Sequence, residues 1–82
     1  MSYEKVAQAK RKIIGTKQTL KALKSGSVLE VVVALDADPL VAKKIIEVAE
    51  LHKVPISTVN SMDTLGEVAG IDIGATTVAI TR

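Results

Sequence analysis

The side chains best placed to do chemistry lie in the run Gly15-Thr16-Lys17-Gln18-Thr19-Leu20-Lys21. Gly15 breaks an extended segment and a helix is expected to start behind it. At ~100° per residue, Lys17, Gln18, Lys21 and Lys24 share one polar sector, while Leu20 and Leu23 face the other way. A helix N-terminus carries unpaired backbone N–H groups and a partial positive charge. Lysines and one side-chain amide added to that end suit a polyanion with hydrogen-bonding edges, RNA first among them. The competing reading is an ordinary solvated helix face. The basic run Lys10-Arg11-Lys12, just upstream, fits general attraction to phosphate better than a specific contact.

Other chemistries find little support. His52 is the single histidine and falls at an expected helix C-terminus, where an exposed structural role is the common case. With no Cys and no His–carboxylate cluster, no metal site is expected. Asp36 and Asp38 form a carboxylate pair, yet they precede a proline-initiated helix and fit capping better than acid–base work. Gly70-Ile71-Asp72-Ile73-Gly74 lacks the G-x-G-x-x-G spacing and follows a helix instead of a strand; a Walker-type loop is absent. No catalytic residue, cofactor or metal ligand is therefore expected. Tyr3 is the only aromatic residue, so any RNA would be read by folded shape, phosphates and a few base edges, not by stacking on an aromatic platform.

The elements that must position these residues follow from length and pattern. A chain of 82 residues has room for one domain, taken as 1–82, and buries about 60–65% of its unfolded surface. An apolar fraction of 48% argues against disorder. No apolar run approaches a membrane span and Met-Ser-Tyr-Glu-Lys has no secretory h-region, so the expected setting is the cytoplasm, without membrane contact. The net charge of +2 hides an asymmetry: residues 1–27 carry +6 and residues 28–82 carry −4. A basic first third on an acidic remainder points to a localised anionic partner.

A first helix is expected with Ser2 as its cap and Tyr3, Val6, Ala9 and Ile13 as its apolar stripe. Ile13-Ile14 should form a short edge strand, followed by a helix over 16–24 that Gly26 stops. The unbroken apolar run 28–35 reads as a strand covered on both faces. Asp38 and Pro39 should open a helix reaching 52, burying some of Val41, Ile45, Val48 and Ala49. Residues 56–59 form a short strand expected at the sheet's centre, Asn60-Ser61 caps a helix ending at Gly70, and 76–81 is the last strand. Gly66 inside that last helix costs ~1 kcal/mol relative to Ala and marks close packing. The fold class is therefore α/β: a single-domain three-layer α/β/α sandwich around a four-stranded mixed sheet.

Several ordered motifs then carry a resemblance covering essentially the whole chain. The Gly15-to-Lys21 run resembles the Gly-Thr/Ala-Asn-Glu-x-x-Lys signature of the kink-turn-binding ribosomal-protein family, which includes an archaeal ribosomal and small-nucleolar-RNP core protein, eukaryotic large-subunit relatives and small bacterial paralogues. Val31-Val32-Val33-Ala34 with Asp36-Ala37-Asp38-Pro39 is similar to the family's strand and acidic Asp-Pro turn. Lys53-Val54-Pro55-Ile56 is similar to its Val-Pro segment, and Leu65-Gly66 with Ala69-Gly70-Ile71 to its Leu-Gly-x-x-x-Gly-hydrophobic segment. The length and the Lys-Gln variant look like the bacterial ribosomal-protein-like paralogue.

The resemblance implies an RNA-binding protein that recognises kink-turns, duplexes bent sharply at a short bulge flanked by sheared G·A pairs. Gly15, Thr16, Lys17, Gln18 and Lys21 would meet the widened groove at those pairs, with Lys17 and Gln18 standing where the family has Asn and Glu. Ile71, Asp72 and Ile73 would stand over the bulged nucleotides, although core packing is a rival role for the two isoleucines. Gln18 offers one acceptor and one donor group where Glu offers two acceptors, and Lys17 is a pure donor. Phosphate attraction should persist while base discrimination weakens. The implied partner is a structured RNA containing a kink-turn, ribosomal or riboswitch-like, with the ribosome as a further candidate partner and the protein a monomer. A protein-interaction adaptor of the translation machinery with incidental RNA contact is the alternative; a small enzyme acting on a phosphorylated ligand at Gly15 is a weaker one.

Overall fold

Helices and strands alternate strictly in the computed structural model, which describes residues 2–81 and the side chains of 3–81. The order is α1 (Ser2–Gln8), β1 (Lys12–Ile14), α2 (Thr16–Ser25), β2 (Val28–Ala34), α3 (Pro39–Leu51), β3 (Ile56–Val59), α4 (Met62–Ala69) and β4 (Thr77–Thr81). The capping role expected of the Ser2 side chain lies outside the described residues.

The four strands form one mixed sheet in the order β1-β4-β2-β3. β4 lies antiparallel to both β1 and β2, and β2 and β3 are parallel, joined by the α3 crossover. β3 is thus an edge strand, not the central one expected from sequence. The cause is non-local: the C-terminal strand inserts between β1 and β2, leaving the crossover strand nothing to pair with on its far side. One extra residue in β2, between Val28 and Glu30, shifts its register against β4. That bulge reverses the side-chain alternation, so Val28 stays on the same face as Val31 and Val33.

Helices cover both faces, as the continuous apolar run of β2 requires. On one face Val32, Ala34 and Val78 pack with Val6 of α1 and Leu65 and Ala69 of α4. On the other, Val31, Val33 and Ala79 pack with Ala22 and Leu23 of α2 and Ile45 and Ala49 of α3. Leu23, Ile45 and Leu65 are fully buried, each contributing about 1.5–3 kcal/mol by removal from water. Val41 and Val48 are only half-buried. Ile13 does not continue the α1 stripe. α1 ends at Gln8, and Ile13 packs against the α2–α3 cluster while Ile14 packs against the α1–α4 cluster, since successive strand residues point to opposite faces.

The caps explain most helix boundaries. Asp38 Oδ1 accepts from Leu40 N–H at 2.9 Å with Pro39 at the first helical position, which starts α3. Asp36 caps a different helix: its Oδ1 accepts from Met62 N–H of α4 at 2.8 Å. Ser61 Oγ accepts from Thr64 N–H, and Tyr3 Oη accepts from Ser61 N–H, tying α1 to the start of α4. Gly26 and Gly70 close α2 and α4 in left-handed conformations.

Candidate nucleic-acid interface

The strand directions bring several segments to one edge of the sheet. The carboxyl ends of β1, β2 and β3 and the amino end of β4 lie together there, because β4 alone runs against the others. The N-termini of α2, α3 and α4 and the loop between α4 and β4 follow directly from those ends. Gly15 N–H donates to Thr77 O at 3.2 Å, and Ala34 N–H to Thr76 O at 2.9 Å. Those two bonds tie the start of α2 and the end of β2 to the close of the α4–β4 loop.

Gly15 precedes α2 with φ 107° and ψ 153°, a conformation essentially reserved for glycine. A Cβ there would have nothing within 4 Å, so backbone geometry and not crowding demands the glycine. Its carbonyl accepts from Thr19 N–H at 3.0 Å, opening the helix. Gly15 has no side chain to cap the helix. Among the described residues nothing accepts from the N–H groups of Thr16, Lys17 or Gln18, whereas α3 and α4 are capped by Asp38, Asp36 and Ser61. Lys17, Gln18, Lys21 and Lys24 are exposed, while Thr19, Ala22 and Leu23 turn inward, so the polar sector expected from sequence is present. No first-turn acid opposes it. This end of α2 presents donors and cations without a carboxylate, an arrangement that can hold phosphate or acceptor edges of bases.

The second expected segment divides. Ile71 is half-buried against the α1–α4 cluster, which is core packing. Asp72 is exposed, and Ile73 is 75% exposed. The loop is held rigidly under this tip. Ile71 N–H donates to Gly66 O and Ala75 N–H to Met62 O, both at 3.0 Å. A Cβ on Gly66 would overlap the Ile73 carbonyl oxygen and sit 3.1 Å from Gly74 Cα, so the close packing expected of Gly66 is against this loop. Asp63, Glu67, Asp72 and the two isoleucines surround a groove of about 390 Å³.

Two exposed residues at the same edge were not expected from sequence. Leu35, after β2, is 64% exposed, and Leu40, in the first turn of α3, is 78% exposed. The signal that could have found them is local: apolar residues flanking the polar turn Asp36-Ala37-Asp38-Pro39 lie beyond the two-sided strand and ahead of the buried helix stripe. His52 terminates α3 and is exposed, away from this edge. Among the described residues no group of three metal-ligating side chains occurs.

Comparison with known proteins agrees with this architecture. The family model of the ribosomal protein L7Ae/L30e/S12e/Gadd45 family matches residues 2–82. An RNA-binding protein of Halalkalibacterium halodurans is 55% identical over 82 residues, the whole of both chains. RNA-binding protein YbxF of Geobacillus stearothermophilus is 50% identical, again over the whole of both. Among solved structures, the Giardia lamblia 15.5kD RNA binding protein superposes with a TM-score of 0.84 at 24% identity, covering 98% of this chain and 68% of that one. That likeness is one of fold, three layers around a four-stranded sheet. The chain belongs to the ribosomal protein L7Ae/L30e/S12e/Gadd45 family.

Proposed function

We propose that this protein binds structured RNA, recognising kink-turn motifs and stabilising their bent form without catalysing a reaction. The observation that carries the reading is the open N-terminus of α2. Gly15 brings no side-chain cap, so the first three N–H groups of α2 have no acceptor among the described residues, and Lys17, Gln18 and Lys21 stand exposed around them. The RNA-binding names of relatives identical at half their positions support RNA as the polyanion. The scarcity of aromatic side chains favours a folded duplex over a splayed single strand. Exposed Ile73, tied by its loop to the same sheet edge, offers an apolar face to nucleotides turned out of the duplex. Binding the bent form more tightly than the open one shifts the RNA towards the bend by the difference in affinity. The RNA is ribosomal or riboswitch-like, and the protein acts in the cytoplasm as a monomer.

The test is a titration of three RNAs at several salt concentrations: a kink-turn, the same RNA with its G·A pairs replaced by Watson–Crick pairs, and a straight duplex. Preference for the first at every salt, with affinity falling steeply as salt rises, is the expected result. Equal binding to all three removes kink-turn recognition. Salt-independent binding favours an adaptor role instead.

A further inference from the structure

α3 buries one stripe, Ile45 and Ala49, against the sheet and α2, and turns the opposite face to solvent. At ~100° per residue, Leu40, Lys44, Glu47 and Leu51 fall within ~60° of one another, about 150° from that stripe. The two leucines are each 78% exposed, and Lys44 and Glu47 are exposed between them. One exposed leucine is ordinary. Two on one line, in the alternating four- and three-residue spacing of a coiled-coil seam, make a face without a partner among the described residues. Lys44 takes part in neither described salt bridge, and Glu47 has only a 3.9 Å contact to Lys43, exposed at both ends.

The face complements itself in one orientation. A two-fold axis passing between Ile45 and Ile46 sets position 40 opposite position 51 of a second copy, and position 44 opposite 47. Leu40 of each copy then meets Leu51 of the other, with Lys44 against Glu47 twice between those apolar ends. A parallel pair would instead set Lys44 against Lys44 and Glu47 against Glu47, so charge selects the antiparallel one. The seam from Leu40 to Leu51 spans roughly 16 Å.

We propose that the outer face of α3 is a self-association surface, on which two copies of this chain pair as a short antiparallel coiled coil. Pairing is independent of the function proposed above and compatible with it. α3 starts at the sheet edge that carries the open end of α2. Antiparallel pairing therefore sends the two edges to opposite ends of the pair and leaves both free for RNA. A face one helix wide falls short of the ~1,200 Å² of a stable interface. The dilute chain is accordingly a monomer, and pairing sets in at high concentration or between copies held on one RNA.

The experiment is sedimentation equilibrium of the protein alone at low salt, from about 10 μM to about 1 mM. The average mass of wild type should rise from that of one chain towards that of two. K44E and E47K should each weaken association roughly ten-fold, since either sets like charges together at two places. K44E/E47K, which exchanges the charges, should restore it, and L51Q should abolish the rise. Matching thermal melts establish that all the proteins are folded. A wild-type mass that stays at one chain throughout overturns the pairing. So does association that K44E, E47K and L51Q leave unchanged, or that the charge exchange fails to restore. Because no RNA is present, none of these outcomes bears on kink-turn recognition.

Discussion

The two segments brought to one sheet edge are opposite in kind. The start of α2 is basic, lacks a side-chain cap and has no acid in its first turn. The α4–β4 loop overhangs a groove bearing Asp63, Glu67 and Asp72, and its Ile73 is exposed. Phosphate is drawn to the first and repelled by the second. Under the proposed function a division of labour follows: α2 would supply attraction to any nucleic-acid backbone, and the loop would admit only an uncharged face, such as a base turned out of its stack. A duplex without such a base gains nothing from the loop and still meets its acids. On that proposal, selection for a bent, bulged RNA would come as much from what the loop refuses as from what α2 binds.

The largest effect is expected from Gly66→Ala. The new Cβ has the Ile73 carbonyl in its way, and backbone cannot yield as a flexible side chain would. With a backbone atom in the way, overpacking should fall at the upper end of the usual range, about 3 kcal/mol of stability, outweighing the ~1 kcal/mol that alanine gains in a helix. Chemical denaturation measures that loss, and kink-turn binding should suffer with it because the loop must move. Ile73→Asp separates loop from core. An exposed position should change stability within about ±0.5 kcal/mol, while kink-turn affinity falls because a charge replaces the apolar tip. A drop in melting temperature as large as that of Ile71→Asp, whose side chain packs on the core, would place Ile73 in the core too. Asp72→Asn should have the smallest effect. Removing one exposed negative charge should tighten RNA binding by under about 1 kcal/mol, and the gain should vanish at high salt. Unchanged affinity at low salt would mean that the acidic rim does not face the RNA.

How much of this was readable in advance follows the range of the interactions involved. Asp38 with Pro39, Gly26 and Gly70 act within a few residues, and those helix boundaries were legible to within a residue or so. The β2 run announced helices on both faces, because only a doubly covered strand is apolar on both sides. Gly66 announced close packing, but not that its neighbour would be the very loop expected to meet RNA. The edge position of β3 could not be read, since strand order depends on where the last strand inserts. Nor could the partner of Asp36, which skips the helix beside it and caps one 26 residues away. The same holds for the acidic groove. Asp63 and Glu67 sit one helical turn apart, which is visible in sequence, but their meeting with Asp72 depends on how Gly70 turns the chain.

The most direct test of the central claim uses a kink-turn RNA labelled at its two arm ends for energy transfer, titrated with wild type and with Lys21→Ala in a buffer chosen so that the free RNA gives low transfer. The account predicts that wild type raises transfer as it binds, and that Lys21→Ala, weakened by about 1–3 kcal/mol, needs roughly 5- to 150-fold more protein to reach the same bent fraction. Binding of the wild-type protein with no rise in transfer, or bending by Lys21→Ala at wild-type concentrations, would contradict it.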